Sequence, residues 1–160
     1  MQTLLDAFKL ALFNEVKARA FYRRAAEVTR YNDARLWLLS LAGLEEDHAH
    51  AIARRVGGDS FAAGFDARGY IDELQDTLDS VLTPEEEAVV LEGERSAVFD
   101  LAKSMELTAS EIYHAMAEGI ADPELAQFFF SLSRQERGHY EELLKIEHTL
   151  RLVAGEAGGE

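Results

Sequence analysis

The 160-residue sequence contains no cysteine. That excludes disulfides, thiolate-held zinc or iron–sulfur sites and cysteine nucleophiles together. Only two prolines are present, so long helices can run without interruption. Long apolar runs are missing too: the longest uncharged one, Leu36–Leu44, falls far short of a bilayer span. Met1–Phe13 carries Asp6 and Lys9 where an export signal would need an apolar stretch. A soluble cytoplasmic protein is therefore expected. Positive charge is scarce, with 16 Lys and Arg against 30 Asp and Glu and a net charge of −14. Nucleic acid and anionic membrane surfaces are thereby excluded as partners, and cations favoured. The hydrophobic fraction of 48% is that of a folded chain with a core.

Helical periodicity fills most of the sequence. The stripe Leu4, Phe8, Ala11, Glu15, Ala18, Tyr22, Ala25 advances by three or four residues and marks one face of a first helix. Asp33 is the expected N-cap of a second helix, with the stripe Leu38, Leu41, Glu45, His48, Ile52 and an end at Gly57–Gly58. Residues 57–69 read as loop, and Ile71, Leu74, Leu78 and Val81 as a short amphipathic helix. Thr83–Pro84–Glu85–Glu86 predicts a capped start to a third long helix, running to about Glu118 with a bend near Gly93. Asp122–Pro123 starts a fourth, continuing to about Val153. The pattern predicts an all-α, ferritin-like antiparallel four-helix bundle with one long crossover between helices two and three. It forms a single domain over residues 1–153, followed by a frayed tail at 154–160.

The chain also matches itself at an offset of 91 residues. Between positions 8 and 48, twelve residues are identical to those 91 further on, without a gap. Four of the matches are polar residues inside apolar stripes: Glu15/Glu106, Tyr22/Tyr113, Glu45/Glu136 and His48/His139. Glu45/His48 and Glu136/His139 are two E-x-x-H pairs, which project from neighbouring turns of one helix face. Four ionised carboxylates in a bundle interior would cost several kcal/mol each to desolvate. Two divalent cations neutralise them, and the imidazoles add ligands without charge. One Glu from each of two helices and one E-x-x-H from each of the others is the dinuclear iron or manganese pattern of ferritin-like carboxylate proteins. Carboxylate and imidazole without thiolate suit Fe and Mn alike.

Other tempting residues have plainer readings. Glu46 and Asp47 turn toward solvent, and His50, His114 and His148 lie off the ligand stripe. Phe128–Phe130 read as core and oligomer contact, and Glu85–Glu87 as helix-end electrostatics.

The segments FNEVKARAFY (residues 13–22), LAGLEEDH (41–48), MELTASEIY (105–113) and LSRQERGH (132–139) resemble the rubrerythrin branch of the ferritin-like superfamily. The resemblance implies that Glu15, Glu45, His48, Glu106, Glu136 and His139 ligate two iron ions. Glu45 and Glu136 would bridge, Glu15 and Glu106 would be terminal, and Tyr22 and Tyr113 would stand behind the ligands. It further implies a homodimer and an oxidoreductase in which Fe2+ reacts with H2O2 or O2, as peroxidase or ferroxidase. Two features depart from the family. The chain lacks the four-cysteine rubredoxin module, so a peroxidase would need an external electron donor. Ala109 stands where an additional ligand Glu is usual. A non-catalytic iron storage or delivery protein and a dimanganese protein are the alternative readings.

Overall fold

A computed structural model describes residues 3–78 and 82–158. Among these residues all regular structure is helical, with no strand: six α-helices and one 3-10 turn. None of these helices is long and apolar enough to cross a membrane. The chain divides into two compact units, Met1–Glu92 and Gly93–Glu160.

The first unit is built on a helical hairpin, α1 (Leu4–Val28) and α2 (Asn32–Gly57). Thr3 caps α1, its hydroxyl accepting from the Asp6 amide at 3.1 Å. Arg35 of α2 holds the turn closed: its guanidinium donates to the carbonyls of Ala26 (2.9 Å) and Thr29 (3.0 Å). The last carbonyls of a helix have no partner within it, so this side chain satisfies one of them, and that of Thr29 just beyond, while tying α2 to the end of α1. Phe8, Leu12, Tyr22, Leu38 and Ile52 are fully buried and form its core.

Asp33 does not cap α2. The capping position falls on the extended Tyr31, and Asp33 lies inside the first turn with its carboxylate 2.9 Å from the Ala34 amide. There its charge complements the helix dipole. Past Gly58 come a 3-10 turn (Ser60–Ala62), α3 (Ala67–Thr77) and α4 (Pro84–Glu92). Phe61 of the 3-10 turn meets Phe8 with ring centres 5.5 Å apart, and Ile71 is buried. Val81 lies outside the described residues. The expected capping box is present, Thr83 Oγ1 accepting from the Glu86 amide (3.2 Å) and Glu86 accepting from the Thr83 amide (2.9 Å). It opens a helix of nine residues, however, not one reaching Glu118. The break falls at Gly93–Glu94, where Glu94 turns extended and its carbonyl accepts from Ala97 to start a new helix. Glycine lowers the cost of leaving the helix at that point.

The second unit is the hairpin of α5 (Arg95–Gly119) and α6 (Pro123–Gly158). Asp122 caps α6, accepting from the amides of Glu124 (2.9 Å) and Leu125 (3.0 Å). Helical backbone continues past Val153 to Gly158. Phe99, Tyr113, Phe129 and Leu143 are its most buried large side chains. The repeat is reproduced in the helix limits: Arg95, Gly119 and Pro123 stand 91 residues after Leu4, Val28 and Asn32.

Candidate metal centre

In the first unit, α1 carries Glu15 and α2 carries Glu45 and His48, all buried although charged or polar. Spacing explains how three polar groups share one place: Glu45 and His48 are one turn apart on α2, and the hairpin brings Glu15 opposite. A carboxylate oxygen of each Glu and a ring nitrogen of His48 lie within 4.8 Å of one another. His48 Nδ1 is 3.2 Å from Glu15 Oε2. The second unit repeats the arrangement with Glu106 on α5 and Glu136 and His139 on α6, again within 4.8 Å of one another. His139 Nδ1 is 3.2 Å from Glu106 Oε2 and 3.3 Å from Glu136 Oε2. The same atoms of equivalent residues therefore meet at the same distance in both halves.

Each half offers two carboxylates and one imidazole, a donor set that suits a divalent iron or manganese ion. Ligands about 2.1 Å from one ion stand at most about 4.2 Å apart, so small side-chain rotations would close either half on a cation. The residues fit a metal. Tyr22 and Tyr113, seven residues after Glu15 and Glu106, are fully buried. The Tyr113 ring centre is 6.3 Å from that of Phe129.

Without metal, a proton does part of the cation's work in the second half. Burial works against a charged His139, but hydrogen bonds and attraction to Glu106 and Glu136 prevail, raising its pKa from 6.5 to about 10. The sign follows from the raised value. The stabilisation is full below pH 6.5, where the unfolded chain's histidine is also protonated, and is lost as pH rises through 10. A metal at Nδ1 must displace this proton. Metal added at pH 8 in weak buffer should therefore release about one more proton per chain from wild type than from His139→Ala. Equal release would contradict the assignment.

Asp47, His50, His114 and His148 are exposed, and Glu46 pairs with Arg19 at 3.4 Å. Phe129 is core, Phe128 packs edge-on to it at 5.6 Å, and Phe130 meets His114 edge-to-face at 5.1 Å. Sequence reasoning missed two polar features of the second hairpin. Lys103, its side chain 16% exposed, bonds the buried Glu147, which Arg151 also reaches. Hydrogen bonds to Glu147 and Asp100 outweigh burial and raise the Lys103 pKa. Ser110 and Ser133 donate to each other's carbonyls at 2.9 and 2.8 Å. The repeat held the clue, since the equivalents of Lys103 and Glu147 are the apolar Leu12 and Val56.

A family model described as Rubrerythrin matches residues 6–147. The chain belongs to the rubrerythrin family. Membership and helical content agree on the all-α ferritin-like class. The matched stretch takes in most of both hairpins and all six carboxylate and histidine residues. No curated protein and no solved structure matches the chain. Rubrerythrin-family membership implies metal binding, usually of iron, and the carboxylate–histidine clusters supply donors of the right kind.

Proposed function

We propose that this rubrerythrin-family protein is a non-haem diiron oxidoreductase in which the two hairpins contribute equal halves of one dinuclear centre. The supporting observation is the duplicated Glu–Glu–His set with its repeated 3.2 Å Glu–His approach. Glu45 and Glu136 would be shared by the two ions, and Glu15 with His48 and Glu106 with His139 would complete the ligand sets. Two divalent ions would cancel the four carboxylate charges.

Iron held this way supplies one-electron redox chemistry toward O2 or H2O2, each ion passing between the ferrous and ferric states. The chain's own residues do the rest. Their burial excludes water, so the carboxylates bind a cation more strongly than exposed ones would. The 3.2 Å approaches of Glu15 and Glu106 orient each imidazole with Nδ1 toward the carboxylates. Tyr22 and Tyr113, fully buried two turns beyond Glu15 and Glu106, help keep the interior closed to water. The 160 residues contain no cysteine, so repeated peroxide turnover draws on an electron donor outside this stretch.

Single-turnover stopped flow on the Fe(II)-loaded protein separates the possible reactions. Faster oxidation by H2O2 than by O2, with steady turnover once a reductase and rubredoxin are added, identifies a peroxidase. Stoichiometric oxidation by O2 alone identifies a ferroxidase. Binding without oxidation by either would overturn the oxidoreductase reading in favour of iron handling or a manganese role.

A further inference from the structure

The two hairpins keep identical metal-binding positions yet differ completely in one groove beside them. Between α1 and α2 lies a cleft of about 410 Å3 lined by Arg19, Arg23, Leu39, Ala42, Gly43 and Glu46. None of these six matches its counterpart 91 residues on: Ser110, His114, Phe130, Ser133, Arg134 and Arg137. In the second hairpin two of the opposed pairs touch across the groove. Ser110 and Ser133 exchange hydrogen bonds, and the rings of His114 and Phe130 meet edge-to-face at 5.1 Å. In the first hairpin the small Ala42 and Gly43 stand where the second carries serine and arginine. A Cβ added at Gly43 would meet nothing within 4 Å, so packing does not demand glycine there; it leaves the cleft wide.

Its wall carries two arginines against one glutamate, Glu46, in a chain of net charge −14. Arg23 is exposed and has no carboxylate within ion-pair distance among the described residues. Arg19 is the more enclosed, its side chain 16% exposed, and meets Glu46 through Nε at 3.4 Å. That contact leaves both terminal amino groups of its fork available. Guanidinium forks match planar oxyanions with two parallel hydrogen bonds, and the cleft volume falls in the range of small-ligand sites, about 300–1,000 Å3. Leu39, 48% exposed, adds an apolar edge for a short carbon chain. We propose that the Arg19–Arg23 cleft of the first hairpin is a binding site for a small oxyanion, a carboxylate or a phosphate, one helical turn from Glu15. The inference does not depend on the metal centre being loaded.

The test titrates the full chain separately with sodium phosphate and sodium succinate at constant ionic strength. Binding is followed by calorimetry and by the amide resonance of Gly43. Wild type, Arg23→Ala and Leu39→Phe are compared, the last carrying the residue the second hairpin uses to fill this groove. Saturable movement of Gly43 with at least one anion, weakened tenfold or more in both variants at unchanged melting temperature, is expected. The responding anion then assigns the class, phosphate or carboxylate. No saturable response to either, or wild-type affinity in both variants, would overturn the proposal.

Discussion

Replacing Glu45 and Glu136 together by alanine abolishes stoichiometric iron binding and lowers the rate of Fe(II) oxidation by more than about 100-fold. The basis is arithmetic of ligands and charge. If these two carboxylates bridge, each serves both ions, so their joint loss removes ligands from both positions and half the compensating negative charge. Even changes behind the first ring of ligands cost about 10–100-fold in metal affinity or activity, and direct ligands cost more. The variant still folds as helices, because each hairpin is held by other interactions: Arg35 closing the first turn, Asp122 capping α6, and the buried aromatic cores. Circular dichroism checks that the helices remain. Binding of two irons and wild-type oxidation by the double variant would remove these residues from the mechanism.

The second large effect is thermal. Chelating the metal should lower the melting temperature by about 15–30 °C. A ligand present at a thousandfold excess over its dissociation constant stabilises the native state by about 4 kcal/mol. Two such sites give about 8 kcal/mol, and a chain of this length loses about 2–4 °C per kcal/mol. Calorimetry on protein before and after chelation, with metal restored as control, measures the shift. A change of less than about 3 °C in fully loaded protein would mean that the metal contributes little to the native state.

Much of this molecule is legible in its sequence because its most informative residues violate the pattern around them. Glutamate and histidine at positions that periodicity reserves for leucine stand out, and their recurrence at 91 residues makes chance untenable. The same spacing recurs in the helix limits, Leu4 with Arg95 and Asn32 with Pro123. Reciprocal side-chain chemistry also reads well from sequence: Thr83 with Glu86 is a local device, fixed by residues three apart.

What escapes is set by choices between near-equal local conformations or by partners far apart in sequence. Gly93 is compatible with a bent helix and with a broken one, and Glu94 adopting extended backbone decides for the break. Asp33 is a good cap in principle, yet the helix begins two residues earlier than such a cap requires, at Asn32, with Tyr31 in the capping position. Lys103 and Glu147 lie 44 residues apart, so no local pattern announces their pairing. The Ser110–Ser133 clasp is quieter still, because serine is common on any helix face. Comparing the two repeats points at least to Lys103 and Glu147, polar where the first hairpin has Leu12 and Val56.

The most direct test of the central claim is an anaerobic Fe(II) titration of the metal-free wild-type chain, followed by oxidation and electron paramagnetic resonance. The account predicts an equivalence point at two irons per chain and loss of the isolated high-spin ferric signal, because two ferric ions bridged by shared carboxylates couple magnetically. An equivalence point at two with the full signal of uncoupled ferric ions would contradict a shared centre and leave each hairpin with a separate site. No equivalence point at all would contradict metal binding by these six residues.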